Sequence, residues 1–305
     1  MIGALPAHKS GFIAVIGRPN VGKSTLINHF VGRKVTAVSP KPQTTRYRIA
    51  GVRTTGTSQM IFLDTPGIHH ADSLLNREMV RVALKTLEDV DVVLWIIDAA
   101  DPLTSEDRLI NRHLKDIKAP VVVALNKVDL VKPKQNLLPT MDKCQKLGPT
   151  TEVIPISATE AENLDRLEQV LLTYLPEGPP FFPAGQATDQ PQYLLVAEIV
   201  REKVFQLAHQ EIPYAVAVQV DEMTAREEEG IVDIQATIYV EKDSQKGIII
   251  GAGGQMLKTI GAEARREIEG LLGSRVYLGL WVTVRKNWRK DKDALRRFGF
   301  LQRHE

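Results

Sequence analysis

Cysteine is nearly absent from this sequence, and long apolar runs are absent altogether. Cys144 is the single cysteine among 305 residues, so no disulfide can form within the chain, which favours a reducing compartment. The opening residues lack the charged and apolar pattern of a secretion signal. No run reaches the ~18 apolar residues that a membrane span needs. We therefore expect a cytoplasmic protein without a membrane-spanning segment.

A strong overall charge is also lacking, because the formal net charge is only +2. The charge is unevenly distributed, however. From Lys242 to Glu305 there are fourteen lysines and arginines against seven aspartates and glutamates. This basic segment predicts a polyanionic partner, with a solvated charged surface as the alternative.

The length of the chain suggests two domains of ~150 residues each. The first half of the chain alternates apolar runs with helical patterns. The apolar runs lie at 12–17, 59–65, 91–98, 120–126 and 152–157. Strands that are apolar throughout and alternate with helices predict an α/β domain, a mostly parallel sheet with helices on both faces. We expect an N-terminal tail at 1–10 and this domain at 11–176.

A proline-rich segment and a different order of elements follow. Five prolines between Pro176 and Pro191 predict a linker at 177–191. The remainder, 192–305, predicts an α+β domain. Its expected elements are a helix at 193–210, strands at 214–223 and 230–241 joined by an acidic loop, two helices around a glycine cluster, and a strand at 275–286.

The stretch "GRPNVGKST" follows the first apolar run and opens a helix. It fits the phosphate-loop pattern GxxxxGK(S/T), in which glycines let backbone N–H groups surround phosphate oxygens. Lys23 would neutralise the β and γ phosphates, and the Ser24 hydroxyl is suited to binding Mg²⁺. The predicted phosphate-binding residues here are Gly17, Asn20, Val21, Gly22, Lys23, Ser24 and Thr25.

Three further motifs, each at a strand end, make the prediction specific. In "FLDTPG", Asp64 could hold Mg²⁺ through water, and the Gly67 N–H could contact a γ-phosphate. In "NKVD", the Asp129 carboxylate could accept two hydrogen bonds from guanine, whereas adenine would leave it unpaired. The third motif, "ISA", would meet the guanine O6. The predicted guanine-binding residues are Asn126, Lys127, Asp129, Ser157 and Ala158.

These motifs in this order resemble the translation-factor-like GTPases over residues 11 to about 175. The resemblance implies two switch segments and a switch threonine on Mg²⁺, for which Thr44 and Thr45 are candidates and Thr45 is favoured. Ile68 stands where some GTPases place a water-orienting glutamine, which implies slow intrinsic hydrolysis. A hydrophobic residue at this position resembles one branch of the GTPases. Asn20 resembles the asparagine that, in this branch, helps to hold a K⁺ ion near the phosphates. The expected switch residues are Thr44, Thr45, Asp64, Thr65, Pro66, Gly67 and Ile68.

The stretch "IIIGAGGQMLKTIG", residues 248–261, contains a second glycine cluster. It lacks the Lys-Ser/Thr of a phosphate loop and follows a helical turn, so a second mononucleotide site is disfavoured. A helix–GxxG–helix arrangement brings backbone N–H groups to a nucleic-acid backbone. Residues ~192–290 resemble a type II KH domain, which clamps about four nucleotides of single-stranded RNA or DNA.

The loop departs from the KH pattern, because Ala252 and Gly253 are neutral where a basic residue is usual. We therefore expect backbone contacts in the loop, with charge supplied from outside it and Trp288 stacking on bases. The alternative is a C-terminal helix with a solvated basic face. The predicted RNA-binding residues are Gly251, Ala252, Gly253, Gly254, Lys246, Lys258, Arg285, Lys286, Trp288, Arg289 and Lys290.

Taken together, the two domains and the linker resemble the Era family of bacterial GTPases over nearly the full length. The resemblance implies a monomer that binds GTP or GDP with Mg²⁺ and holds the single-stranded 3′ end of 16S rRNA. It further implies a role in 30S subunit assembly and loose peripheral contact with the inner membrane.

Two other classes remain open from the residues themselves. One is a metabolic or tRNA-modifying GTPase whose second domain binds a protein or a cofactor. The other is a structural ribosome-binding protein with a nucleotide-locked, inactive site.

Overall fold

The computed structural model describes residues 8–39, 41, 45–68, 73–208, 212–226 and 230–301. The chain divides into two compact units. The first takes most of the chain up to Asp189. The second takes the chain from Gln190 onward, together with two short segments of the first half, Ala37–Thr44 and Ser73–Leu75.

The first unit is built on a six-stranded sheet with the order β2-β3-β1-β4-β5-β6. All neighbouring pairs are parallel except β2 and β3, which are antiparallel. The mostly parallel sheet predicted from the sequence is therefore confirmed, while the edge strand β2 was not predicted. The strands are β1 Lys9–Ile16, β2 Ile49–Thr54, β3 Ser58–Asp64, β4 Val92–Asp98, β5 Val121–Asn126 and β6 Thr150–Pro155.

Helices cover both faces of this sheet, as the apolar runs predicted. Successive residues of a strand point to opposite faces, so Ile13 and Val15 pack in one core while Ala14 and Ile16 pack in another. Helices α1 and α5 contribute to the first core, and α2, α3 and α4 to the second. Their bounds are α1 Lys23–Val31, α2 Leu74–Lys85, α3 Ser105–Leu114, α4 Leu137–Gln145 and α5 Leu164–Tyr174.

The proline-rich segment has little regular structure, yet it is anchored on the first unit. Gln59 lies fully buried, and its Oε1 accepts hydrogen bonds from the backbone N–H groups of Phe181 (2.7 Å) and Phe182 (2.9 Å). The N–H of Val52 donates to the carbonyl of Ala187 at 2.8 Å. Residues 177–191 therefore lie along the sheet and are hydrogen-bonded to it, and we call this segment the strap.

The second unit has the predicted α+β order. Its three-stranded sheet has the order β7-β8-β9, with β7 and β8 antiparallel and β8 and β9 parallel. Val200, Ile234, Ile260 and Ile268 lie fully buried in its core. The elements are α6 Gln192–Leu207, β7 Ala217–Arg226, β8 Ile231–Val240, α7 Asp243–Ile250, α8 Gln255–Leu272, β9 Arg275–Val284 and α9 Lys292–Arg297.

Strand β7 is longer than predicted, because it continues through Arg226 into the stretch expected to be an acidic loop. Within the described ranges, no helix is both long enough and apolar enough to cross a membrane.

Candidate nucleotide site and glycine-lined groove

The phosphate loop lies between the end of β1 and the first turn of α1. Gly22 adopts a left-handed conformation (φ 101°), and a Cβ there would lie 2.3 Å from Asn126 Nδ2. At Gly17 (φ 153°), a Cβ would lie 2.5 Å from the carbonyl oxygen of Ile96. Both positions require glycine because a side chain would collide with its neighbours.

Lys23 is buried at the start of α1, with its ammonium group turned back over the loop. Its Nζ donates hydrogen bonds to the carbonyls of Gly17 (3.1 Å) and Arg18 (2.9 Å). Burial lowers the pKa of Lys23 to about 8, although the nearby Asp64 carboxylate opposes the shift. The loop therefore holds a cation that phosphate oxygens would stabilise in its charged form.

Three predicted metal ligands lie together at the end of β3. The Ser24 hydroxyl donates to Asp64 Oδ2 at 2.9 Å, the Thr45 hydroxyl donates to the same oxygen at 3.2 Å, and the two hydroxyls are 3.1 Å apart. Thr45 is the threonine that the sequence favoured, and Thr44 lies outside the described residues.

The Asp64 carboxylate fits a divalent cation. It is fully buried, and burial raises its pKa to about 6, opposed by Lys23 and by hydroxyl hydrogen bonds. Among the described residues, its Oδ1 has no hydrogen-bond partner. A buried carboxylate beside two hydroxyls is the oxygen-rich set that Mg²⁺ prefers.

The segment after Asp64 is tightly held up to Ile68. The Thr65 hydroxyl donates to the carbonyl of Val15 at 2.9 Å, and Pro66 is also buried. A Cβ on Gly67 would lie 2.9 Å from the Pro19 nitrogen, so this chain segment approaches the phosphate loop closely. Ile68 is fully buried in an apolar core, where it offers no polar group to a water molecule.

The predicted guanine loop is joined to the phosphate loop through Asn126. Its amide nitrogen donates to the carbonyl of Val21 at 2.7 Å, and its amide oxygen accepts from the Ala158 N–H at 2.9 Å. Lys127 adopts a left-handed conformation (φ 66°), and Asp129 is partly exposed. Ser157 is buried and accepts a hydrogen bond from the Glu160 N–H at 3.1 Å. These contacts bring three separate motifs to one edge of the sheet.

The second glycine cluster forms the sharp connection between α7 and α8. Gly251, Gly253 and Gly254 have φ values of 74°, 58° and 78°, which favour glycine. A Cβ on Gly251 would also lie 2.7 Å from that of Met256. Ala252 and Gly253 are exposed, so their backbone N–H groups are accessible to a ligand beside the N-terminus of α8.

A groove of about 490 Å³ runs from this cluster between α8 and β9. Lys258 and Arg265 give it two exposed cations, and Tyr277 is 59% exposed. The groove is lined by residues of α8 and β9 and the glycine before α8: Gly254, Leu257, Lys258, Gly261, Ala262, Arg265, Tyr277, Leu278 and Leu280. Arg265 and Tyr277 were missed by the sequence prediction, although Arg265 lies seven residues after Lys258 and so shares its helix face.

The other basic candidates do not line this groove. Lys246 lies on α7, and Lys286 and Lys290 are exposed beyond the end of β9. Arg285 pairs with Asp291 at 3.1 Å, and Arg289 pairs with Glu241 at 2.6 Å. Lys258 is therefore the one of the predicted basic residues that lines the groove, and RNA contact by the others stays a prediction.

The prediction that Trp288 stacks on bases is wrong. Its side chain is fully buried, and the indole N–H donates to the carbonyl of Ala215 at 2.9 Å. The ring packs against Phe298 and Phe300, with centroid separations of 5.4 and 5.8 Å. Trp288 is a core residue because the C-terminal segment folds back over it.

Comparisons with known families agree with this arrangement of sites. Residues 12–127 match the model of the 50S ribosome-binding GTPase family, and residues 211–289 match the KH domain model. The fold and the phosphate loop therefore define a GTPase that carries a C-terminal KH domain.

Two solved structures are similar over nearly the whole chain. A structure of Era in complex with MgGDPNP and nucleotides 1506–1542 of 16S ribosomal RNA is 44% identical, with a TM-score of 0.94, covering 97% of this chain and 100% of that one. A variant of Aquifex aeolicus Era bound to GDP·AlF4⁻ is also 44% identical, with a TM-score of 0.93, covering 96% and 100%. This chain belongs to the Era family.

Proposed function

We propose that this GTPase binds the single-stranded 3′ end of 16S rRNA through its KH groove and acts in 30S subunit assembly as a nucleotide-dependent switch. The observation that carries the proposal is the similarity over 97% of the chain to Era solved with that RNA segment and MgGDPNP. The glycine cluster and the groove beside it supply a matching surface in this chain.

In the nucleotide site, the phosphate-loop N–H groups and Lys23 would hold the β and γ phosphates. Ser24 and Thr45 would bind Mg²⁺ directly, and Asp64 through water. Bound Mg²⁺ would neutralise the charge on the phosphate oxygens. The support is the close set of three oxygen-bearing side chains, in which Asp64 Oδ1 has no partner among the described residues.

Guanine would be recognised by Asp129 through its N1–H and 2-amino donors. Asn126 supports this role by tying the loop to Val21 and to Ala158. A bound base would cover the Asp129 carboxylate; adenine would leave it unpaired, whereas guanine would pair with it, so the loop would discriminate between the two bases.

Hydrolysis would be slow without help, because the residue after the D-T-P-G motif is the buried Ile68. We propose that hydrolysis is stimulated by K⁺ held near the phosphates beside Asn20, where its charge would stabilise the transition state, or by a partner. Asn20 is exposed in the phosphate loop and has a φ of 63°.

RNA would lie along the groove with its backbone at Gly251–Gly254. The backbone N–H groups at the N-terminus of α8 favour phosphate, and Lys258 and Arg265 add two cations. Tyr277 offers an exposed ring on which a base can stack, a contact worth about 1–3 kcal/mol.

Nucleotide state would change RNA affinity. The compact unit that contains the KH fold also contains residues 37–39 and 41, which lie shortly before the favoured switch threonine. Within that unit, the Val38 N–H donates to Glu202 of α6 at 3.3 Å. Ordering of the switch by GTP would therefore bias the second unit.

The test is the affinity of the full chain for an oligonucleotide of the 16S rRNA 3′ end, measured with GDP and with a non-hydrolysable GTP analogue. We expect at least a fivefold difference, the low end of a typical coupling of about 1–3 kcal/mol. Equal affinities would contradict the switch, and no binding in either state would contradict the RNA assignment.

Membership of the Era family is the support for the remaining parts of the proposal. The protein would work as a monomer in the cytoplasm, with loose peripheral contact with the inner membrane.

A further inference from the structure

A buried carboxylate lies between the two loops of the nucleotide site and meets a cation from each. Asp98 is the last residue of β4, and its Oδ1 accepts the Ala100 N–H at 2.9 Å, which fixes the orientation of the carboxylate. Its Oδ2 accepts from Lys127 Nζ at 2.7 Å. Arg18 Nη2 lies 3.9 Å from the same oxygen.

Both cations belong to segments that the proposed nucleotide contacts occupy. Arg18 directly follows Gly17 in the phosphate loop, and Lys127 stands between Asn126 and Asp129 in the guanine loop. Lys127 has a φ of 66°, a conformation that a residue with a side chain keeps only when its surroundings impose it. The contact with Asp98 is one such constraint.

Arg18 has further acidic partners, but they differ in exposure. Its Nη2 donates to the carbonyl of Asp101 at 2.8 Å and to Asp101 Oδ2 at 3.1 Å, and its Nε lies 3.5 Å from Asp107 Oδ2. The Asp101 side chain is 69% exposed, whereas those of Asp98 and Asp107 are 10% and 0% exposed, and of these two only Asp98 also has a contact with Lys127 among the described residues. A buried charge is screened less by solvent, and Asp98 is the carboxylate that meets cations of both loops.

We propose that Asp98 is a positioning residue for nucleotide binding, which joins the phosphate loop to the guanine loop through Arg18 and Lys127. Its charge holds Lys127, and so places Asp129 to accept the donors of guanine. The inference rests on the proposed function, because it takes residues 17–25 as the phosphate site and Asp129 as the guanine reader.

The test compares the affinities of the full chain for GDP and for IDP, which lacks the 2-amino group of guanine. Asp98→Asn keeps the size of the side chain and the acceptor for Ala100 but removes the charge. We expect GDP affinity to fall about tenfold and IDP affinity less, because truncating one partner of a buried ion pair weakens what it positions. The ratio of GDP to IDP affinity should fall at least threefold.

Two variants separate positioning from general loss of structure. Among the described residues, the Asp101 carboxylate contacts Arg18 and not Lys127. Asp101→Asn should therefore change both affinities less than twofold and leave their ratio unchanged. Asp98→Glu restores the charge and should recover most of the GDP preference. If Asp98→Asn does not fold, Lys127→Gln removes the same contact from the other side and must lower the same ratio.

An equal loss of GDP and IDP affinity in Asp98→Asn would overturn the proposal, as would unchanged affinities. Failure of the proposed function would be visible separately, because the unmodified protein would then bind GDP no better than IDP or ADP.

Discussion

Asp64 has a pKa of about 6, so its charge changes within an accessible pH range. Below that pKa the carboxylate gains a proton and attracts Mg²⁺ less, whereas above it the charge is present. We expect Mg²⁺ affinity of the GDP complex to rise from pH 5 to pH 7, with a midpoint at or below about 6 because bound Mg²⁺ lowers the pKa further. Titration of Mg²⁺ at fixed ionic strength measures this.

Asp64→Asn is the matched variant for that experiment, since it keeps the shape of the side chain and cannot titrate. Its Mg²⁺ affinity should be lower and nearly flat between pH 5 and pH 7. A flat profile in the unmodified protein would contradict the assignment of Asp64 to the metal. The raised pKa also implies that, without nucleotide, stability contributed by this group is full below pH 4 and is lost as the pH rises through 6.

Asn20 carries a prediction about K⁺. Asn20→Ala should abolish the stimulation of GTP hydrolysis by KCl over NaCl and leave the rate in NaCl nearly unchanged, because the side-chain amide is the proposed K⁺ contact. The left-handed backbone at Asn20 disfavours alanine, so Asn20→Gly serves as the control without backbone strain. Stimulation by K⁺ that persists in both variants would exclude this mechanism.

At the scale of elements, the α7–α8 connection depends on its glycines. Gly254→Asp places a negative side chain at the N-terminal end of the groove, at a φ of 78° that costs about 1–2 kcal/mol outside glycine. We expect RNA affinity to fall at least tenfold and GDP affinity to change less than twofold. Filter binding and nucleotide titration of the full chain measure the two effects.

Gly270→Asp is the control for that variant, because Gly270 is exposed further along α8 and a Cβ there meets no atom within 4 Å. Its RNA affinity should stay within about threefold of the unmodified protein. An equal loss in both variants would mean that added negative charge, and not the glycine connection, weakens RNA binding.

The strap at 177–191 makes Gln59 a stabilising residue. Gln59→Ala would remove the acceptor of the Phe181 and Phe182 N–H groups and the donor to the Phe182 carbonyl (2.9 Å). Leaving such groups unpaired costs about 1–3 kcal/mol, so the thermal midpoint should fall by about 2–12 °C. Gln186→Ala, an exposed glutamine of the same strap, should change it by less than about 2 °C.

Across the elements, local motifs were predictable and distant contacts were not. The phosphate loop, the D-T-P-G motif and the NKVD motif each consist of adjacent residues at a strand end, so their chemistry can be read from sequence order. The strap contacts of Gln59 and the core position of Trp288 join residues more than seventy positions apart. Proline content alone cannot distinguish a free linker from a bound strap.

At the scale of the whole molecule, basic charge is concentrated in the segment that begins at α7 and includes the second glycine cluster. The net charge is +2, but the segment from Lys242 onward has twice as many basic as acidic residues. RNA affinity should fall with salt, and each single-strand phosphate contact contributes about 0.7 to the slope of log affinity against log salt. Lys258→Ala and Arg265→Ala should each reduce that slope by about 0.7.

Lys290→Ala tests the groove against the original sequence prediction, because Lys290 is basic and exposed but does not line the groove. Its salt slope should match that of the unmodified protein. A reduced slope for Lys290→Ala with an unchanged slope for Lys258→Ala would place the RNA on the C-terminal segment instead.

The sequence by itself predicted the motifs of the nucleotide loops and, apart from strand β2, the order of the main elements in both units. The spacing within a motif is set by the chain itself, so glycine, lysine and serine at fixed intervals after a strand can be recognised without the tertiary structure. Tertiary structure alone decided that Thr45 meets Ser24 and Asp64, that Arg265 and Tyr277 share a groove, and that Trp288 is core. Those outcomes depend on which helix faces pack on which strands, and that packing joins side chains that the order of residues leaves far apart.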